Sequence, residues 1–126
     1  MTEGYLYILN EPMPGSNWVK VGKTINPGRR LKEYNSSFHT DAIEFAFVSD
    51  KLYDIDTAER KLLKWLKERD KVDQSPDRFE WFKLKSRASW TTSKRRIKHK
   101  YSSFDNSAFI ESIISKIEKL TDEYLA

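Results

Sequence analysis

The sequence predicts an α+β domain: a small mixed, mainly antiparallel sheet of three to four strands flanked by helices, then a basic segment and an amphipathic helix. Three observations predict it. Short aromatic and aliphatic runs alternate with a helical stretch in the order β-β-α-β-α-β. The 126 residues are 38% hydrophobic, which suits one modest core and leaves little room for a second. A late apolar stripe recurs at three-to-four spacing, the mark of an amphipathic helix.

Tyr5-Leu6-Tyr7-Ile8-Leu9 reads as the first strand. Glu11 to Ser16 holds two prolines and a glycine and reads as a turn. Trp18-Val19-Lys20-Val21-Gly22 follows as a second strand, giving an antiparallel hairpin. Asn26-Pro27 marks a helix start, with Asn as the cap and Pro at the first helical position. That helix is expected from Pro27 to about Asn35. Ile43 to Val48 reads as a third strand. Asp54 to Glu68 carries Ile55, Ala58, Leu62, Trp65 and Leu66 at helical spacing. Gln74 to Asp77 reads as a loop. Phe79 to Leu84 reads as a last strand, or as a strand entering a helix. Phe109, Ile110, Ile113, Ile114, Ile117, Leu120 and Leu125 form the final stripe, with Ser107 or Asn106 as its cap. This stripe either docks on the domain or pairs with a second copy as a homodimer. The chain thus divides into a core over 1–84, a basic segment over 85–101 and a helix over 102–126.

Charge is distributed unevenly. Residues 1–84 hold 14 basic and 14 acidic side chains. Lys85, Arg87, Lys94, Arg95, Arg96, Lys98 and Lys100 then follow without an acid up to Tyr101. Such a block attracts a polyanion by counterion release. Trp90 and Tyr101 lie among these cations, and Ser89, Thr91, Thr92 and Ser93 could hydrogen-bond phosphate. The same block also reads as a solvated basic linker, and Trp90 as a core anchor.

Several classes are excluded. With no Cys there is no disulfide framework and no Cys-based zinc site. His39 and His99 lack partners at ligand spacing, which argues against a His-based zinc site. Lys23-Thr24 follows Gly22, but the upstream glycine of a P-loop is missing. The opening MTEGYLYILN has no signal-peptide pattern, and no apolar run approaches the ~18 residues that suggest a membrane span. A cytoplasmic location and no membrane partner are the matching expectations.

Phosphodiester cleavage needs a cation on the phosphate, an oxygen ligand for a metal and a group that orients or deprotonates water. The expected hairpin brings Tyr7 and Lys20 near each other. The first helix presents Arg30 and, four residues on, Tyr34 on the same face. Glu80 is a lone carboxylate between Phe79 and Trp81. Taken singly, Tyr7 is also an ordinary strand aromatic, Arg30 a surface charge, Tyr34 a cover for the helix end and Glu80 a solvent-facing strand residue.

Taken together, these residues resemble the GIY-YIG nuclease superfamily. Tyr5-Leu6-Tyr7 is similar to its first triplet and Lys20-Val21-Gly22 to its second. Arg30 stands eight residues after Gly22, Tyr34 four further on, and Glu80 downstream on another element, as in that family. Met13-Pro14-Gly15, Val19 to Thr24, Arg30-Leu31 and Arg78 to Phe82 are similar to one phage-rich branch, named for a bacteriophage T5 reading frame and described as DNA-binding. The resemblance covers about residues 4–84. It departs at Lys20, where most members have Tyr, and at Tyr5, which begins the first triplet with Gly4 one place earlier. It implies a metal-dependent DNA endonuclease. Arg30 would hold the scissile phosphate, Glu80 one Mg²⁺ or Mn²⁺, and Tyr7 the water, with Lys20 and Tyr34 in support. Lys23 and the basic block Lys85–Lys100 would contact DNA. Lys20 also fits a domain that binds DNA without cutting it, and the apolar stripe fits a protein-interaction domain.

Overall fold

The computed structural model describes residues 1–10, 18–37, 45–69, 72–74, 81–84 and 107–126. Among these, eight elements follow in order. They are β1 (Tyr5–Asn10), β2 (Trp18–Thr24), α1 (Pro27–Ser37), β3 (Phe45–Val48), α2 (Ile55–Lys67), β4 (Val72–Gln74), β5 (Trp81–Leu84) and α3 (Ser107–Tyr124). The strands form one sheet in the order β3-β1-β2-β5-β4, and every pairing is antiparallel. The α+β class stands. The sheet has five strands, because Val72–Gln74 pairs with β5 where the sequence suggested the start of a loop. Three residues are too few for a period-2 pattern to stand out, so pairing alone defines this edge strand.

The period-2 pleat of β1 sorts its side chains to two sides of the sheet. Leu6 and Ile8 join Val19, Val21 and Phe82 in a main core with Ile55, Ala58, Leu62 and Leu66 of α2. Tyr7 and Leu9 face the other way and pack with Leu31 and Tyr34 of α1, Phe45 and Val48. Thus α2 covers one face and α1 the other. The α1 helix starts as the sequence predicts: the Asn26 side-chain oxygen accepts from the Arg29 amide at 3.0 Å. Asp54 caps α2 in the same way, accepting from the Thr57 amide at 3.2 Å.

The apolar stripe of α3 docks on this core. Phe109, Ile113, Ile117, Leu120 and Tyr124 are buried in the main cluster beside α2. The end of the chain is tied down as well, since the Tyr53 amide donates to the Tyr124 carbonyl at 2.9 Å. Among the described residues no helix is long and apolar enough to cross a membrane.

Candidate functional site

The pairing register builds the site. Tyr7 lies directly opposite Gly22, and Leu9 opposite Lys20. Directly opposed residues share a face, so Lys20 is the diagonal neighbour of Tyr7 beside Gly22. The Tyr7 ring lies across Gly22. A methyl group at position 22 would come 2.6 Å from the phenol oxygen and 2.7 Å from the carbon that bears it. Glycine is therefore required here by the close approach of an aromatic ring.

Tyr7 is buried, and such a phenol needs a hydrogen-bond partner. It has one in Tyr34: the two hydroxyl oxygens are 2.6 Å apart, and either can donate. The rings meet edge to face with centroids 6.2 Å apart. Phe45 packs against Tyr7 from β3, at 5.0 Å between centroids.

Arg30 stands one turn before Tyr34 on α1, with its guanidinium carbon 6.0 Å from the Tyr34 ring centroid. One terminal nitrogen donates to the Glu33 carboxylate at 3.3 Å. Its Nε is enclosed and has no acceptor among the described residues. A buried donor left without a partner carries a desolvation cost that an incoming anion would relieve. Glu33 did not emerge from the sequence reading, although its i,i+3 spacing from Arg30 was a visible signal.

Tyr7, Lys20, Arg30 and Tyr34 thus lie on the α1 side of the sheet. Lys23 does not. The β2 alternation turns it to the opposite face with Val19 and Val21, where it pairs with Asp56 and, at 3.6 Å, with Glu59 of α2. The hydrogen bond to Asp56 raises the Lys23 pKa above its ordinary value; burial opposes it, and the charge of Glu59 adds a smaller upward push. Lys23, expected as a DNA contact, cross-links β2 and α2 through these pairs and lies on the face away from Tyr7.

Glu80 lies outside the described residues, as do Lys85, Arg87, Lys94, Arg95, Arg96, Lys98, Lys100, His39 and His99. Trp81, joined to Glu80 by one peptide bond, is the strand partner of Lys20. Among the described residues no group of three or more His, Cys, Asp or Glu could hold a metal ion. A depression of about 560 Å³ lined by Phe47, Ser49, Asp50, Glu118, Thr121 and Asp122, among others, includes none of the expected site residues.

Residues 4–99 match the T5orf172 domain. The chain belongs to the T5orf172 domain family. The match takes in all five strands, α1 and α2, and so every residue of the Tyr7 site. Only α3, among the described elements, lies beyond the T5orf172 match. No curated protein and no solved structure matches the chain.

Proposed function

We propose that this T5orf172 protein is a metal-dependent DNA endonuclease of the GIY-YIG type. One observation carries the reading: two tyrosine hydroxyls 2.6 Å apart over a glycine, with an arginine one helical turn away whose buried Nε has no acceptor among the described residues. This arrangement offers a hydroxyl pair for a water and a fixed cation for a phosphate.

In this reading Arg30 binds a non-bridging oxygen of the scissile phosphate and stabilises the charge that builds up in the transition state. Tyr7, oriented by Tyr34, holds the attacking water. The water oxygen bonds to phosphorus and sheds a proton through the Tyr7–Tyr34 hydroxyl pair to solvent, while the bond to the leaving sugar oxygen breaks and that oxygen takes up a proton from solvent. Lys20 adds positive charge beside the phosphate. Mg²⁺ takes one or two carboxylates and keeps several waters, so a single Glu80 is a sufficient protein ligand. When bound, the ion supplies Lewis-acid stabilisation of the phosphate and leaving oxygens. The basic block Lys85–Lys100 grips the duplex electrostatically.

A second reading is a DNA-binding module that does not cut, and Lys20 favours it. An ammonium stands where most GIY-YIG members present a second phenol, so the water would lose one of its hydroxyl partners.

The deciding experiment is a supercoiled-plasmid assay with Mg²⁺ or Mn²⁺, run beside Glu80→Ala and Arg30→Ala. Nicking is expected in the parent, absent in both variants, with most DNA binding retained in Arg30→Ala because its role lies in the transition state. A mobility shift without cutting under either metal would leave the binding module. Full activity in Arg30→Ala would sink the assignment of the site.

A further inference from the structure

The solvent face of α2 carries positive charge in which the Tyr7 site has no part. From Arg60 to Lys67 the helix holds four basic residues and no acidic one. Arg60, Lys61, Lys64 and Lys67 are all exposed. Lys61 is neutralised by Glu123 at 2.7 Å and lies 4.9 Å from the centre of the Tyr124 ring. Arg60, Lys64 and Lys67 form no salt bridge with any carboxylate among the described residues. The acids at the start of α2 are already engaged, since Asp56 and Glu59 both pair with Lys23.

These three cations fall at i, i+4 and i+7, one stripe along the helix. It lies opposite the core row Ala58, Leu62 and Leu66. With a rise of 1.5 Å per residue the stripe is about 10 Å long, roughly the axial distance occupied by three phosphates of one DNA strand. Lys64 and Lys67 also complement the negative end of the α2 dipole. Arg60 stands in the N-terminal half and gains nothing from that dipole.

We propose that Arg60, Lys64 and Lys67 form a second contact surface for the phosphate backbone of duplex DNA, on the side of the sheet opposite Tyr7 and Arg30. The inference rests on the reading of this protein as one that acts on DNA. It adds that DNA is held on two faces. Because α1 and α2 cover opposite faces, the two surfaces take separate segments: two arms of a bent or branched substrate, or two duplexes.

The test uses the full chain and two triple variants. One is Arg60→Gln, Lys64→Gln and Lys67→Gln; the other keeps the charge as Arg60→Lys, Lys64→Arg and Lys67→Arg. Binding of a fluorescent duplex is measured against salt, and energy transfer between donor- and acceptor-labelled duplexes reports bridging. The glutamine variant is expected to flatten the plot of log K against log salt by about two to three units, at roughly 0.9 per phosphate contact. It should also lose bridging, while the charge-keeping variant retains both. An unchanged slope in a glutamine variant that still binds DNA overturns this surface and leaves the proposed nuclease intact. Equal losses in both variants overturn it too, because charge would not be the cause. Loss of binding to phosphatidylserine vesicles with an unaltered DNA slope would reassign the stripe to anionic membranes. No DNA binding by the parent removes the nuclease reading and this surface together.

Discussion

At Gly22 a hydrogen in place of a methyl group lets the Tyr7 phenol cross β2 and reach Tyr34. All three atoms that a Cβ would meet belong to the rigid end of the Tyr7 ring, so no rotamer change at the tip relieves the clash. Gly22→Ala should therefore move Tyr7, break the 2.6 Å contact and cost about 1–3 kcal/mol, as overpacking does in a well-filled core. Plasmid nicking should fall at least about tenfold while Arg30 is untouched, the loss of roughly 1.4 kcal/mol of transition-state stabilisation. A urea melt beside the plasmid assay separates the two effects. Parent-level nicking in a folded Gly22→Ala protein would show that the Tyr7 position does not matter to the reaction.

At the scale of elements, each helix is fixed to the sheet by a different device. The α1 helix has no fully buried residue and is held through Leu31 and Tyr34 and its Asn26 cap. The α2 helix buries a full apolar row and is crossed by the Lys23 pairs. Its start depends on Asp54, whose carboxylate is bonded by the Thr57 hydroxyl and amide, and these bonds lower its pKa from the ordinary 3.8. A carboxyl whose folded pKa is depressed stabilises the fold above the unfolded value and loses that contribution as pH falls through the folded value. The parent should thus be more stable than Asp54→Ala at neutral pH, and the gap should close below about pH 4. Thermal melts of both proteins from pH 7 to pH 3 measure it. A gap that stays constant across that range would mean the cap does not act through its charge.

For the whole molecule, α3 is part of the core although it lies beyond the residues that match the T5orf172 domain. Five of its side chains are buried in the main cluster. At roughly 1.5–3 kcal/mol for each buried large apolar side chain, their burial is comparable with the entire stability of a small domain, about 5–15 kcal/mol. Ile117→Ala should destabilise by about 2–5 kcal/mol, and a chain ending at residue 106 should not fold cooperatively. Urea denaturation of the point variant and circular dichroism of the shortened chain give the answer. A shortened chain with a native-like melt would make α3 an accessory instead of a core helix.

Most of the fold was legible in the sequence, because hydrophobic period and cap residues are local properties. The β1–β2 hairpin, the Asn26 start of α1, the apolar row of α2 and the stripe of α3 all follow from spacing along the chain. The candidate site was legible as a set: Tyr7, Lys20, Arg30 and Tyr34 stand at recognisable intervals. Tertiary structure alone decided how they meet. Register put Tyr7 across Gly22, and helix placement brought Tyr34 to 2.6 Å from Tyr7. The pleat sent Lys23 to the far face, a matter of parity that net charge does not reveal. Residues 1–84 sum to zero charge, yet folding engages the acids of α2 with Lys23 and leaves Arg60, Lys64 and Lys67 facing solvent. Charge sums along the chain carry no direction. Only the fold assigns each charge to a face, and the face decides what it can touch.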